Sequence, residues 1–259
     1  MWLSEQIRSA GEALTDQIEV GQVSLGGASL AAAKFLKDIM LEKGIQGSFG
    51  LGGITGYMVD MLKAGCFRSL MDVQCFDLTA VESIKNDPRH QEISAMQYAS
   101  PSTKSAVVDS LDVVILGATE IDTDFNVNVH TDSNGYIMGG SGGHSDTAAG
   151  SQLSMIIAPM FRARLPIVTD HVTCISTPGK DIDVLVTQGG IAVNPKNTEL
   201  KDRLVKAGLP IVDILELKEK TERITGKPEK LPKGDRVVAE VIGREGNILD
   251  KIYNVEQNN

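Results

Sequence analysis

Apolar residues recur along the chain with two different spacings. Continuous apolar runs lie within residues 111–118, 153–159 and 182–187, the pattern of strands buried on both faces. Leu36, Ile39 and Met40 instead repeat at helical spacing, in a segment that starts near Leu30 and stops at Gly44. The same signals predict helices over 57–64 (closed by Gly65), 79–85, 197–207 (closed near Gly208) and 216–225 (closed by Gly226). Shorter strands are expected over 22–25, 70–76, 165–168, 171–175 and 209–215. Strands alternating with helices make α/β the expected fold class. Near the end, 236–242 and 248–253 flank Arg244-Glu245-Gly246-Asn247 and predict a β-hairpin. Residues 227–234 have the composition of a linker. The expected organisation is therefore an α/β domain over 1–232 and a hairpin extension over 233–259 packed on it.

Composition narrows the partners. With 259 residues the chain is long enough to bury a sizeable core. The formal net charge of −9, from 25 basic and 34 acidic residues, argues against nucleic acid or an anionic membrane surface. Cys66, Cys75 and Cys174 are odd in number and lack Cys-x-x-Cys spacing, so neither a disulfide framework nor a zinc site is expected. A reducing cytoplasm is the simpler setting. Residues 1–8 lack the cationic-then-apolar pattern of a secretory leader, and no window approaches the ~20 apolar residues that span a bilayer.

The densest candidate chemistry is Asn134-Gly135-Tyr136-Ile137-Met138-Gly139-Gly140-Ser141-Gly142-Gly143-His144-Ser145-Asp146. Four of the last eight residues are glycine, a composition that costs backbone entropy and lets main-chain N–H groups approach a ligand. A strand before and the buried run from Leu153 after it would place this loop at the edge of an α/β sheet. Gly26-Gly27, Gly52-Gly53 and Gly189-Gly190 also fall at predicted element ends. Residues 47–56 read as a glycine-rich turn, but their spacing is not the dinucleotide fingerprint, and no Walker lysine follows. A cleft lined by several such loops would be rich in backbone donors, suited to stabilising an oxyanion in acyl transfer and to accommodating an extended ligand.

Side chains add to this frame. His144, with Asp146 two residues on, reads either as a donor or general acid toward a substrate, or as a structural histidine pinning the loop. Glu120, Asp122, Asn126 and Asn128 follow the buried run 111–118. Asp122, like Asp124, is equally well explained as a turn residue, whereas Asn126 and Asn128, alternating with Val127 and Val129, suggest an inward-facing polar pair. His90 reads as a solvated loop residue and His171 as structural. Arg162 and Arg164 read as a solvated surface pair able to meet a carboxylate or phosphate. The histidines show no metal-ligand spacing.

Several stretches together carry a specific resemblance. They are Gly26-Gly27-Ala28-Ser29-Leu30, Leu51-Gly52-Gly53-Ile54-Thr55, Glu120-Ile121-Asp122 with Phe125-Asn126-Val127-Asn128-Val129, Ser141-Gly142-Gly143-His144-x-Asp146-Thr147-Ala148, Val186-Thr187-x-x-Gly190-Ile191-Ala192-Val193-Asn194-Pro195, and Arg236-Val237-Val238-Ala239. The set resembles the coenzyme A transferase family, in its citrate lyase α-chain branch. The resemblance implies a CoA-transferase-like mixed, largely parallel sheet flanked by helices. It implies exchange of acetate for citrate on the thioester of an acyl-carrier protein with a coenzyme-A-like arm, which is a substrate and not a bound cofactor. The implied partners are the β and γ (acyl-carrier) subunits, in an oligomer. Residues 52 and 53, with Gly26, Gly27, Asn126, Asn128, Ser141, Gly142, Gly143 and Gly190, would hold the thioester and acid; His144, Asp146 and Glu120 would be the reactive side chains. Many family members place a nucleophilic glutamate in the loop that here reads Leu51-Gly52-Gly53-Ile54. No carboxylate stands there, which fits direct acyl exchange, and Glu120 is the nearest substitute. Family α chains are about twice this length, and the resemblance covers their C-terminal half. An N-terminal half chain is therefore an expected partner.

Overall fold

The computed structural model describes residues 22–25, 30–227 and 232–255. In chain order its first half runs β1 (Gln22–Leu25), α1 (Leu30–Glu42), β2 (Gly47–Ile54), α2 (Gly56–Lys63), β3 (Phe67–Cys75), α3 (Leu78–Asn86), β4 (His90–Glu92), α4 (Ala95–Ala99) and β5 (Val113–Leu116). There follow β6 (Glu120–Asp122), β7 (Val127–Asn128), α5 (His144–Gly150), β8 (Leu153–Ile157), β9 (Phe161–Arg162), β10 (Leu165–Pro166) and β11 (Val168–Thr169). The chain ends in β12 (Val184–Thr187), β13 (Gly190–Val193), α6 (Thr198–Lys206), α7 (Ile214–Thr225), β14 (Lys233–Ile242) and β15 (Ile248–Val255).

Eight strands form one sheet in the order β13-β12-β8-β5-β1-β2-β3-β4. Every neighbouring pair is parallel except β12–β13. The chain lays down β1 to β4 outward on one side, then returns past β1 to start the other side with β5. Alternate residues of β5 serve opposite faces: Val113 and Ile115 join Met58, Leu62, Met155 and Val186 in one core, while Val114 and Leu116 join Ile156, Leu185 and Ala192 in another. That two-sided burial is why the segment is apolar without interruption. The α/β fold with a largely parallel sheet is as expected, and so is the C-terminal hairpin. Its Val241 and Ile252 pack on buried Cys174. Among the described residues, no helix is long and apolar enough to cross a membrane.

Four local expectations are corrected. Residues 47–54 are a strand within the sheet and not a turn. Their glycines make room for neighbours: a Cβ on Gly50 would stand 2.4 Å from the Met58 methyl, and one on Gly53 would stand 1.9 Å from the Phe76 ring. His90 is buried, its Nδ1 3.0 Å from Ser83 Oγ and its Nε2 3.1 Å from Asp72 Oδ2, so it is no solvated loop residue. Residues 171–175 form no strand, and 209–215 contribute a single bridge, Ile191 with Ile211, before α7 begins. Finally, a short helix, α5, intervenes between the glycine loop and β8.

Close backbone packing also fixes the chain beside β12. The turn Gly179–Asp181 lies against the 124–126 segment, where a Cβ on Gly179 would be 1.9 Å from the Asp124 carbonyl oxygen and 2.9 Å from the Phe125 carbonyl carbon. Backbone cannot swing aside as a flexible side chain can. Gly179→Ala is therefore expected to cost about 2–3 kcal/mol in urea unfolding. Gly139→Ala, with no atom within 4 Å of the added methyl, should stay within about 0.5 kcal/mol of the parent. Equal midpoints for the two variants would contradict this packing.

Candidate active site

The return of the chain past β1 makes that strand the point where the winding reverses, and a crevice at the carboxyl ends of strands forms there in open α/β sheets. A cleft of about 400 Å³ occupies this position. Its floor is Gly53 at the end of β2, Val73 and Gln74 at the end of β3, and Leu116, Gly117 and Ala118 at the end of β5. Phe76, Tyr98, Thr119, Val129, Thr147 and Arg162 form its walls with Ser141, Gly142, Gly143 and His144 of the glycine loop. Among these described residues there is no carboxylate, lysine or cysteine, and Arg162 brings the cleft's one guanidinium.

The glycine loop reaches the cleft because its far end is pinned. A Cβ on Gly143 would lie 2.4 Å from the Tyr98 ring, so only glycine lets the main chain come this close. Next to it, the buried His144 ring bridges two elements, with Nε2 2.9 Å from the Gly117 carbonyl oxygen and Nδ1 2.7 Å from Thr177 Oγ1. The carbonyl can only accept, so Nε2 carries the proton, and Nδ1 accepts from the threonine hydroxyl. Burial holds the imidazole neutral, pushing its pKa down to about 4, against the opposing pull of the Gly117 carbonyl. Both ring nitrogens are engaged within the protein. The geometry is that of a pin, the second of the two readings open in the sequence; as a general acid, the ring would first have to give up one of these bonds.

The other expected reactive groups lie elsewhere. Glu120 is buried in β6, where Oε2 accepts from Asn128 Nδ2 at 2.8 Å and from the Thr173 N–H at 2.7 Å, and Oε1 from Thr173 Oγ1 at 3.1 Å. Asn128 in turn accepts from the N–H groups of His130 and Thr131. Asn126 accepts from the Gly179 N–H and donates to Asp122. These amides and carboxylates brace loops and do not border the cleft, so the inward-facing pair is inward toward the protein's own polar groups. Asp146 faces a second cavity of about 400 Å³ under the C-terminal hairpin, bordered also by His130, Ser145, Ser176 and Arg244. Burial raises its carboxyl pKa, and the nearby Arg244 opposes this. Ser141 and Gly142 border both cavities.

Of the expected binding residues, the structure brings Gly53, Ser141, Gly142 and Gly143 to the cleft with His144. Gly52 sits just behind, at a break in the β2–β3 register with φ +118°. Gly190 is in the β12–β13 hairpin, against Val212. Gly26 and Gly27, which follow β1 directly, lie outside the described residues. Sequence reasoning passed over Gln74, Phe76, Tyr98, Gly117 and Thr119. Gln74, Gly117 and Thr119 stand where apolar strands give out, a signal present in the sequence. Tyr98 has no such signal, because only the path of α4 brings it near.

A family model described as citrate lyase, alpha subunit (CitF) matches residues 13–255. The chain belongs to this family. It is 52% identical over 235 residues to the citrate lyase alpha chain of Klebsiella pneumoniae and 50% identical over 236 residues to that of Escherichia coli K12. Each match covers 91% of this chain and 46% of the relative, so the chain spans about half the length of these curated relatives. A structure described as an alpha subunit of citrate lyase from Streptococcus mutans, in complex with citrate, superposes with a TM-score of 0.93 at 39% identity, over 98% of this chain and 51% of that one. The alpha subunit of malonate decarboxylase from Acinetobacter baumannii, at 11% identity and TM-score 0.59 over 88% of this chain and 53% of that one, shares the fold alone.

The His144 pin has a pH signature. Its folded pKa, about 4, lies below the ordinary imidazole value of 6.5. Between those values the unfolded chain binds a proton that the folded chain does not, so stability falls as pH drops through the window. Relative to His144→Gln, which has no proton to bind there, the wild type should lose on the order of 3 kcal/mol between pH 7 and pH 4. Urea unfolding of both proteins across that range checks it. Parallel profiles would contradict a buried neutral ring.

Proposed function

We propose that this chain carries one half of a citrate lyase acyl transferase, which exchanges acetate for citrate on the thioester of an acyl carrier with a coenzyme-A-like arm. The observation that carries the reading is a cleft at the strand-reversal point that is bordered by the glycine loop's Gly142 and Gly143 and by one guanidinium, with no carboxylate, lysine or cysteine among its described lining. Such a site suits a reaction whose nucleophile is the incoming acid. A citrate carboxylate attacks the acetyl thioester carbonyl and expels the thiolate, giving a mixed anhydride. The thiolate then attacks the citryl carbonyl and releases acetate. Each attack makes an oxyanion, and the main-chain N–H groups of Gly142 and Gly143, which border the cleft, are the proposed donors to it. Arg162 is suited to a carboxylate of the tricarboxylic acid, by paired charge-assisted hydrogen bonds.

Membership of the citrate lyase alpha family supports the choice of citrate, and the citrate in the Streptococcus mutans structure agrees with it. The β and γ (acyl-carrier) subunits are the proposed partners, in the cytoplasm. The relatives' remaining half, which this sequence does not span, is proposed to complete the site. The engagement of both His144 ring nitrogens within the protein favours one second reading, a module that binds the thioester and turns nothing over.

Exchange of labelled acetate with acetyl thioester, driven by citrate, separates the two readings. Turnover on adding the complementary half is expected, with no acyl group retained on this chain by mass spectrometry. Thioester binding without turnover in any combination would select the module. Arg162→Gln should raise KM for citrate about tenfold, the loss of roughly one charge-assisted hydrogen bond, with a smaller change in kcat. An unchanged KM would remove Arg162 from the acid's site.

A further inference from the structure

The stretch of the glycine loop that leads into the cleft makes few contacts of its own. A Cβ on Gly139, Gly140 or Gly142 would meet nothing within 4 Å, so these glycines leave the main chain unpacked. The loop is held at its ends instead. On one side the Met138 N–H donates to the His130 carbonyl at 2.8 Å, and Thr131 bridges Ile137. On the other, beyond the His144 pin, the holder comes from the opposite end of the chain. Arg244, in the turn of the β14–β15 hairpin, donates through Nη1 to the Asp146 carbonyl at 3.0 Å and through Nη2 to Asp109 Oδ1 at 2.5 Å. Its side chain is 18% exposed, and Asp109 belongs to the turn Val107–Ser110. Gly150, closing α5, packs so tightly on that turn that a Cβ there would stand 2.7 Å from the Val108 carbonyl oxygen.

We propose that Arg244 is a positioning residue, which sets the 139–146 segment against the cleft from an element that does not itself line it. The forked guanidinium is what permits this: it clamps the first turn of α5 and the turn beneath with two separate nitrogens. The hairpin does not need the clamp to stay docked. Val241 and Ile252 hold it on Cys174, and Asp250 Oδ2 accepts the Ile175 N–H at 2.8 Å. Losing the guanidinium therefore loosens the loop before it loosens the hairpin. The consequence for ligand binding rests on the transferase reading given above; the consequence for the loop does not.

Amide hydrogen exchange on the full chain tests the two separately. In Arg244→Gln, exchange over 139–146 is expected to quicken by about tenfold or more, as for loss of one charge-assisted hydrogen bond. Amides of β5, β8 and the hairpin strands should keep their rates, and Arg244→Lys, which can hold only one of the two partners, should fall between. In acetyl thioester exchange the same variant should raise KM for citrate several-fold more than it lowers kcat. Unchanged exchange over 139–146, or an equal rise at every amide, would overturn the positioning role. A loosened loop in a chain whose wild type turns nothing over even with the complementary half added upholds that role and counts against the transferase reading alone.

Discussion

A buried, neutral imidazole joins the parts of this molecule that matter for function. His144 connects the end of the central strand β5, through the Gly117 carbonyl, to the Thr177 hydroxyl on the approach to β12. Neither partner can be replaced by water at a site so enclosed without leaving a buried polar group unmet. The glycine loop enters α5 through this tie, and its open stretch can therefore be nearly free of packing and still arrive at the strand ends. A loop of small residues gains access to a ligand by giving up its own contacts, and the histidine restores the lost definition from behind.

The sheet determines where that tie is useful. Because the chain winds outward from β1 in both directions, the helices leaving neighbouring strands diverge and open a crevice above β1. Glycines then shape the crevice by absence: Gly53 leaves room for the Phe76 ring and Gly143 for the Tyr98 ring. Two aromatic walls lie against bare backbone, and the polar side chains left to the cleft are a few hydroxyls, an amide, the engaged His144 ring and Arg162. This inventory favours chemistry in which the substrates bring the nucleophile and the protein supplies shape and charge stabilisation.

Much of the fold was legible, for reasons particular residues make plain. Val113, Val114, Ile115 and Leu116 are apolar in succession because two cores claim them alternately. Gly44, Gly65, Gly208 and Gly226 end helices with φ between +66° and +84°. Glycine also misled: in 47–54 it marks close packing across a strand, which composition alone cannot distinguish from a turn. The site was less legible. Glu120 and Asn126 stood out as polar residues following an apolar run, and Asp146 as a carboxylate two residues from His144, but buried polar groups serve most often to satisfy backbone N–H groups, as Glu120 does for Thr173. His90 seemed exposed because its partners Ser83 and Asp72 lie on other elements. Resemblance to a family identified the glycine segments, and only the fold separated those that border the cleft from those that pack a hairpin.

The claim that this chain itself holds the acid in the strand-end cleft is tested most directly by titrating citrate into the ¹⁵N-labelled protein. Progressive shifts of the Gly53, Gly142 and Gly143 amides and of the Arg162 Nε–H are expected, with the Glu120–Asn128 region unmoved. Shifts confined to the cavity under the hairpin, or none in a folded chain, would contradict it.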